Sequence, residues 1–354
     1  MANETYRIGI VGAASLVGKE LSDALGESLL ATSDVVLLDD EESEGQMTAS
    51  GDEVAFIQRL GPSSFERLDF VFFASDSSVT KRHWEKARQA GATILDLTYA
   101  LEGKKGVLVR SPWVAEVLEA LEAGKPHKGK EPDLNTHAVV VAHPAAMMIA
   151  LAAARLRAQL PLVAVAATVM EPASQHGRAA MDELHQQTVN LLSFQGLPRE
   201  QYDAQTAFNL LPKLGEAAAV KFAEVGQKIR EEYAALVGSS LPSLALNMAQ
   251  APVFHGYVVS MLIELAQPVT LEQVETALAG EHIDIVGTES DPPSNLSATG
   301  QENVMLRVTS GTGGMGLENR FWLWMAADNL KLIALNAIAC ALELRKLRPL
   351  GKVQ

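Results

Sequence analysis

The sequence predicts an α/β protein of two domains, and three observations support that class. Short apolar runs alternate with helical patterns as far as residue 142, as in a parallel sheet covered by helices on both faces. Beyond residue 143 longer strand-like runs follow one another, which suits a mixed or antiparallel sheet. The chain has 354 residues, 48% hydrophobic and 20% charged, enough for two cores of ordinary size.

The first run, residues 6–11 (YRIGIV), stops at Gly12, and a helical pattern follows over residues 16–30. A second run, residues 35–38, ends on the carboxylates Asp39, Asp40, Glu41 and Glu42. Then come a strand at residues 69–74 (DFVFFA), a helix over 79–89 and a strand at 92–97 (ATILDL). Residues 125–136 are polar and contain proline, which predicts a surface loop before the buried strand 137–142 (HAVVVA). From Pro144 a very apolar helix (AAMMIALAAARLR) leads to the strand PLVAVAATVM, and an amphipathic helix is expected over 181–192. Later strands are expected at 253–265, 303–308 and 319–326, and a last long helix over 329–347.

The formal net charge of −14 repels nucleic acid and anionic membrane surfaces, so neither is an expected partner. The same acidity also serves simple solubility. Cys340 is the single cysteine, which excludes an internal disulfide and a thiolate metal cluster. The first apolar run belongs to a strand-turn-helix pattern rather than to a signal peptide, and no apolar window approaches the ~18 residues of a membrane span. A cytoplasmic protein is the expectation.

Gly12, Ala13, Ala14, Ser15, Leu16, Val17 and Gly18 lie between a strand and a helix, where a dinucleotide's pyrophosphate is held in a Rossmann-type domain. Ser15 stands where the middle glycine of the usual pattern would be, so its side chain either donates to a phosphate or crowds it. A turn of this type that binds nothing is the alternative. Asp39 follows Gly18 by 21 residues, at the end of the second strand. A carboxylate there suits the ribose hydroxyls of NAD and disfavours the 2′-phosphate of NADP.

Over nearly its whole length the chain resembles the aspartate-semialdehyde dehydrogenases. The resemblance runs in order through GIVGAASLVGKEL, DFVFFAS, AGATILDL, GRAAMDELHQQTVNLL, TAFNLLP, APVFHG and DNLKLIALNA. It implies a Rossmann-type dinucleotide-binding domain of residues 1–142 and 328–354, with an α+β catalytic and dimerisation domain of residues 143–327. That family's reaction needs a thiolate nucleophile, a general acid/base and cations that hold a carboxylate and a phosphate.

The resemblance also implies that those groups are gone. The nucleophilic cysteine's position falls on Ala146, the orienting glutamine's on Glu171, the substrate-binding arginine's on Gln250 and the histidine base's on Tyr257. The phosphate-binding arginine's position falls on Glu102, and Glu42 and Gln46 replace cations that clamp the 2′-phosphate of NADP. Loss of nucleophile, base and both anion-binding arginines predicts a dismantled site.

Other residues offer partial substitutes. Cys340 sits between Ala339 and Ala341 in a helical pattern and reads as a core thiol. Strand alternation places His255 and Tyr257 on one face, where they form either a new polar pair or a packed or surface histidine beside a tyrosine. His143, His176 and His185 lack metal-ligand spacing, Met147 and Met148 read as core packing, and residues 311–316 (GTGGMG) read as a hairpin loop.

Three functions follow. The first is a catalytically silent relative kept as a homodimeric binding or interaction protein, with NAD or another small molecule as ligand. The second is an NAD-dependent enzyme that transfers hydride directly, using Tyr257 or His255. The third is a semialdehyde dehydrogenase with a rearranged site. The apolar segments AAMMIALAAARL, PLVAVAATVM, VVSMLIEL and FWLWMAA exceed what one helix-covered sheet hides, which favours a homodimer.

Overall fold

The computed structural model describes residues 6–31, 33–50, 53–61, 63–122, 137–313 and 316–346. The loop expected at 125–136 lies outside the described residues. The chain divides into two compact units, one of Met1–Pro112, Lys125–Ala142 and Ile333–Gln354, the other of Trp113–Gly124 and His143–Leu332.

The first unit opens with β1 (Arg7–Val11), α1 (Leu16–Gly26), β2 (Asp34–Asp39), the hairpin of β3 (Met47–Ser50) and β4 (Glu53–Phe56), and β5 (Gln58–Arg59). It continues through β6 (Phe70–Phe73), α2 (Ser77–Gln89), β7 (Thr93–Asp96) and β8 (Leu108–Arg110). After α3 (Pro112–Glu122), which falls mainly in the second unit, β9 (Ala138–Val141) completes the sheet. The order is β5-β2-β1-β6-β7-β9-β8 and every pairing is parallel.

Every residue of β6, β7 and β9 is buried, because apolar layers cover both faces of the sheet. Ile10, Phe72 and Val139 join Leu21 and Leu25 of α1 and Ile338 in one layer. Val11, Phe73 and Val140 join Phe65 and Ala87 in the other. The helix expected to run to residue 30 ends at Gly26. Ser28 explains the early stop, since its hydroxyl donates to Leu25 O (2.9 Å) and accepts from Leu30 N–H (3.0 Å).

The second unit contains α4 (Pro144–Gln159), β10 (Leu162–Glu171), α5 (Arg178–Leu192), α6 (Phe222–Val237), β11 (Leu244–Gln250) and β12 (Tyr257–Val269). It continues with α7 (Leu271–Leu278), β13 (Ile283–Ile285), α8 (Asn295–Ala298), β14 (Val304–Ser310) and β15 (Glu318–Ala327), then the first turn of α9 (Asn329–Lys346). The sheet order is β11-β10-β12-β15-β14-β13, with parallel pairs at both ends and antiparallel pairs between. Residues 311–316 join β14 to β15 as expected of a hairpin loop, with 314 and 315 outside the described residues.

Strand alternation separates the two faces of this sheet. Val165, Ile263, Phe321 and Leu306 are buried on the face covered by α4, a helix with twelve of its sixteen residues buried. Ala166, Leu262, Trp322 and Thr309 form a cross-strand row on the other face, beside the row Thr168, Ser260, Trp324 and Arg307. No residue of these two rows is buried, and Trp322 is 40% exposed.

Candidate functional site

The start of α4 builds the site. Pro144 occupies the first turn, where its missing N–H costs nothing, and His143 is the N-cap. His143 Nδ1 accepts from Ala145 N–H (3.2 Å), which places the ring proton on Nε2. That nitrogen lies 3.3 Å from Tyr257 Oη, and Tyr257 Oη donates to Glu171 Oε1 at 3.2 Å. The Gln175 amide is 3.2 Å from the same ring nitrogen, so it must turn its oxygen toward the ring. The second unit therefore holds a directional chain from His143 through Tyr257 to Glu171.

Three strand ends converge here. Glu171 is the last residue of β10, Gln250 the last of β11 and Tyr257 the first of β12. All three are fully buried, with His143 and Ala146 beside them at 1% and 0% exposure. Gln250 Nε2 donates to the backbone oxygens of Glu171 (2.9 Å) and Ala251 (3.2 Å), so it ties the ends of β10 and β11 together. Asn329 Oδ1 accepts from Ser174 Oγ (3.1 Å) and from Gly256 N–H (3.0 Å), which fixes the approach to Tyr257.

Burial controls the charges. It pushes Glu171 up to about 8, against the opposing Tyr257 hydrogen bond. Burial pushes His143 down to about 3, helped by the nearby Lys228 and His176. His176 falls to about 4 for the same first reason, opposed by the Gln250 side chain. His176 Nε2 stands 3.5 Å from Glu171 Oε1, but desolvation keeps both neutral near pH 7. Glu232 of α6 accepts the His143 backbone N–H at 2.5 Å, placing a carboxyl group at the helix start.

Ala146, the third residue of α4, carries no reactive atom. Cys340 offers no substitute: it is buried in the first unit against Arg110 O (3.7 Å), and burial pushes its thiol up. The expected continuity of His255 with Tyr257 along one strand is corrected. β12 begins at Tyr257, because Gly256 has φ +86° and a Cβ there would meet Asn295 O at 2.8 Å. Residues 253 and 254 instead accept hydrogen bonds from Ala173 and Ser174. His255 thus precedes the strand, and the Tyr257 ring meets His143 edge-on, with centroids 5.7 Å apart. The proline following His143 was the one sequence signal for this cap. His185 is exposed on α5, and no group of metal-ligating residues gathers among the described residues.

In the first unit the glycine turn has the shape a dinucleotide cradle requires. Gly12 has φ +90°, and a Cβ on it would lie 2.5 Å from Ser75 N. A Cβ on Gly18 would lie 2.1 Å from Gly12 O, so glycine lets α1 approach the turn. Ser15 is the helix cap: its hydroxyl donates to Ala74 O (2.8 Å) and accepts from Gly18 N–H (2.9 Å). Asp39 Oδ2 accepts from Ala14 N–H (2.7 Å), so the carboxylate expected to hold a ribose is fixed against the turn. Leu16 and Val17 begin α1. Glu102 lies in the turn after β7, where it adds a small upward push to Asp96, raised mainly by burial.

A parallel sheet with this turn, followed by a mixed sheet carrying a polar cluster at three strand ends, defines a dehydrogenase architecture. The chain belongs to the semialdehyde dehydrogenase family: the family's NAD binding domain matches residues 7–121 and its dimerisation domain residues 153–332. It is 31% identical over 340 residues to the Pseudomonas aeruginosa USG-1 protein homolog, covering 95% of this chain and 96% of that one. It is 26% identical over 347 residues to the Rickettsia conorii aspartate-semialdehyde dehydrogenase, covering 96% and 97%. A solved Pseudomonas aeruginosa structure, described as a probable aspartate-semialdehyde dehydrogenase, superposes with a TM-score of 0.82 at 29% identity, over 98% of this chain and 100% of that one. No helix among the described residues is long and apolar enough to cross a membrane.

Proposed function

We propose that this chain is a catalytically silent member of its family, kept as a homodimeric binding protein with NAD as its dinucleotide. Ala146 is the observation that carries the proposal. Acyl transfer through the enzyme requires a nucleophile at that helix start, and alanine supplies none. Tyr257 and Gln250 stand where the resemblance places the base and the substrate arginine, and the Tyr257 hydroxyl and the Gln250 amide N–H groups are engaged inside the cluster. Removing a nucleophile alone costs on the order of 10⁶-fold in comparable enzymes.

Gly12, Ser15, Leu16, Val17 and Gly18 would hold the pyrophosphate, and Asp39 the adenosine ribose. Bound NAD supplies a hydride acceptor. The acids 39–42 oppose the extra phosphate of NADP. The exposed sheet row of Ala166, Leu262 and Trp322 supports association with a second copy, as does the match to a dimerisation domain.

One observation favours a second reading, direct hydride transfer with Tyr257 as acid: its hydroxyl is joined to His143 and Glu171. Full burial of all three weighs against it. Calorimetric titration with NAD, NADP and AMP tests the binding proposal. NAD should bind more tightly than NADP, and equal or tighter NADP binding overturns the assignment.

A further inference from the structure

We propose that the outer edge of β11 docks an extended acidic segment of a partner protein, which adds a strand to the mixed sheet. β11 is the terminal strand and pairs inward with β10. Gln250 exchanges both backbone hydrogen bonds with Leu211, at 2.8 and 3.1 Å, so its backbone groups face away from β10. Alternation turns the N–H and C=O of Met248 and Leu246 the same way. No described residue pairs with those four groups. The single antiparallel bridge at Leu211 occupies one position of the edge, and the next two positions carry no backbone hydrogen bond on that side among the described residues.

A groove of about 430 Å³ runs along this edge, between residues 212–221, α6 and β11. Leu214 and Met248 give it apolar walls for alternate side chains of an added strand. Lys213, Lys221 and Arg230 stand on its rim, against Glu216 and Glu224. Three cations against two acids leave the rim locally positive on a chain of net charge −14, which favours an acidic strand over a basic one at this groove. A second copy joined edge to edge would bring cation against cation, and β11 itself (LALNMAQ) has no acid to offer. Open strand edges are ordinarily blocked by charge, proline or a covering element, and this one is bordered by a groove. The proposal does not depend on how the buried cluster is read.

The test is fluorescence anisotropy of a labelled peptide alternating Val and Glu, titrated with the full-length protein. Saturable binding is expected, with affinity about tenfold lower for the Val and Lys counterpart. Methylation of alternate peptide nitrogens should abolish it. Lys213→Glu combined with Arg230→Glu should weaken binding about fivefold. Leu246→Pro removes one outward N–H at an edge, where proline is tolerated, and should abolish binding while the thermal midpoint holds. If that variant unfolds, the surface charge reversal still decides the matter. No saturable binding, equal binding of the basic peptide or indifference to methylation overturns the proposal. So does conversion of a dimer to a monomer by the charge reversal, which would give the edge to a second copy.

Discussion

Tyr257 donates its hydroxyl to Glu171 across 3.2 Å, linking the first residue of β12 to the last of β10 inside a fully buried cluster. Tyr257→Phe keeps the ring and deletes the donor, leaving Glu171 Oε1 without that partner. The expected loss is about 1–3 kcal/mol of unfolding free energy. Urea denaturation at constant pH checks it, and an unchanged midpoint would contradict the bond's role.

The cluster also sets a pH dependence. Glu171 titrates near 8 when folded and near 4.5 when unfolded, so the folded state binds the extra proton between those values. Its contribution is full below the unfolded value and is lost as pH rises toward 8. His143 and His176 titrate near 3 and 4 when folded, against 6.5 unfolded. Their burial makes stability rise with pH up to 6.5. Two rising contributions outweigh one falling one below 6.5, and only the falling one remains above it. The cluster is therefore most stabilising near pH 6.5. Glu171→Gln should gain stability relative to wild type as pH rises from 6.5 to 8. Thermal melts of both proteins measure this, and a constant difference across that window would contradict it.

Restoring the missing thiol alone should fail. Ala146 is fully buried, and Glu232 already accepts the His143 N–H at the helix start where a thiolate would gain its stabilisation. Ala146→Cys should leave phosphate-dependent turnover undetectable. Its reaction with iodoacetamide should reach half-maximal rate only above about pH 8.5. A low-pH reactive thiol, or recovered turnover, would contradict the account of the site.

Trp322 is 40% exposed in the middle of the uncovered sheet row between Leu262 and Thr309. Light scattering should give twice the chain mass of 37.9 kDa for the wild type. Trp322→Glu places a charge in that face and should shift the mass toward 37.9 kDa. A wild-type monomer, or a variant that stays dimeric, would contradict this use of the face.

Much of the fold was legible because it rests on short, local patterns. The run YRIGIV before Gly12 marks β1 and the turn, and AVVV reads directly as a buried strand. Pro144 and the apolar stretch after it mark α4. β11 escaped because LALNMAQ has no β-branched residue, and its strand state comes from pairing with distant β10. α6 escaped too, although Glu232 within it reaches His143 across 89 residues. At the site, the absence of a cysteine at Ala146 is visible in one letter. The partnership of Tyr257 with His143 is not, because it depends on where Gly256 lets β12 begin. Ser15 shows the same limit: the sequence offered a phosphate donor or an obstacle, and the structure makes it a helix cap.

The most direct test of catalytic silence is a single-turnover experiment at protein concentrations comparable to the dinucleotide. Wild-type protein is mixed with aspartate semialdehyde, phosphate and NAD or NADP, and reduced nicotinamide is followed by absorbance. Without a nucleophile at Ala146 no burst forms, and later turnover stays below about a thousandth of the ~10 s⁻¹ of a typical enzyme. A burst approaching one reduced nicotinamide per chain would contradict the central claim and show that other groups have taken over the chemistry.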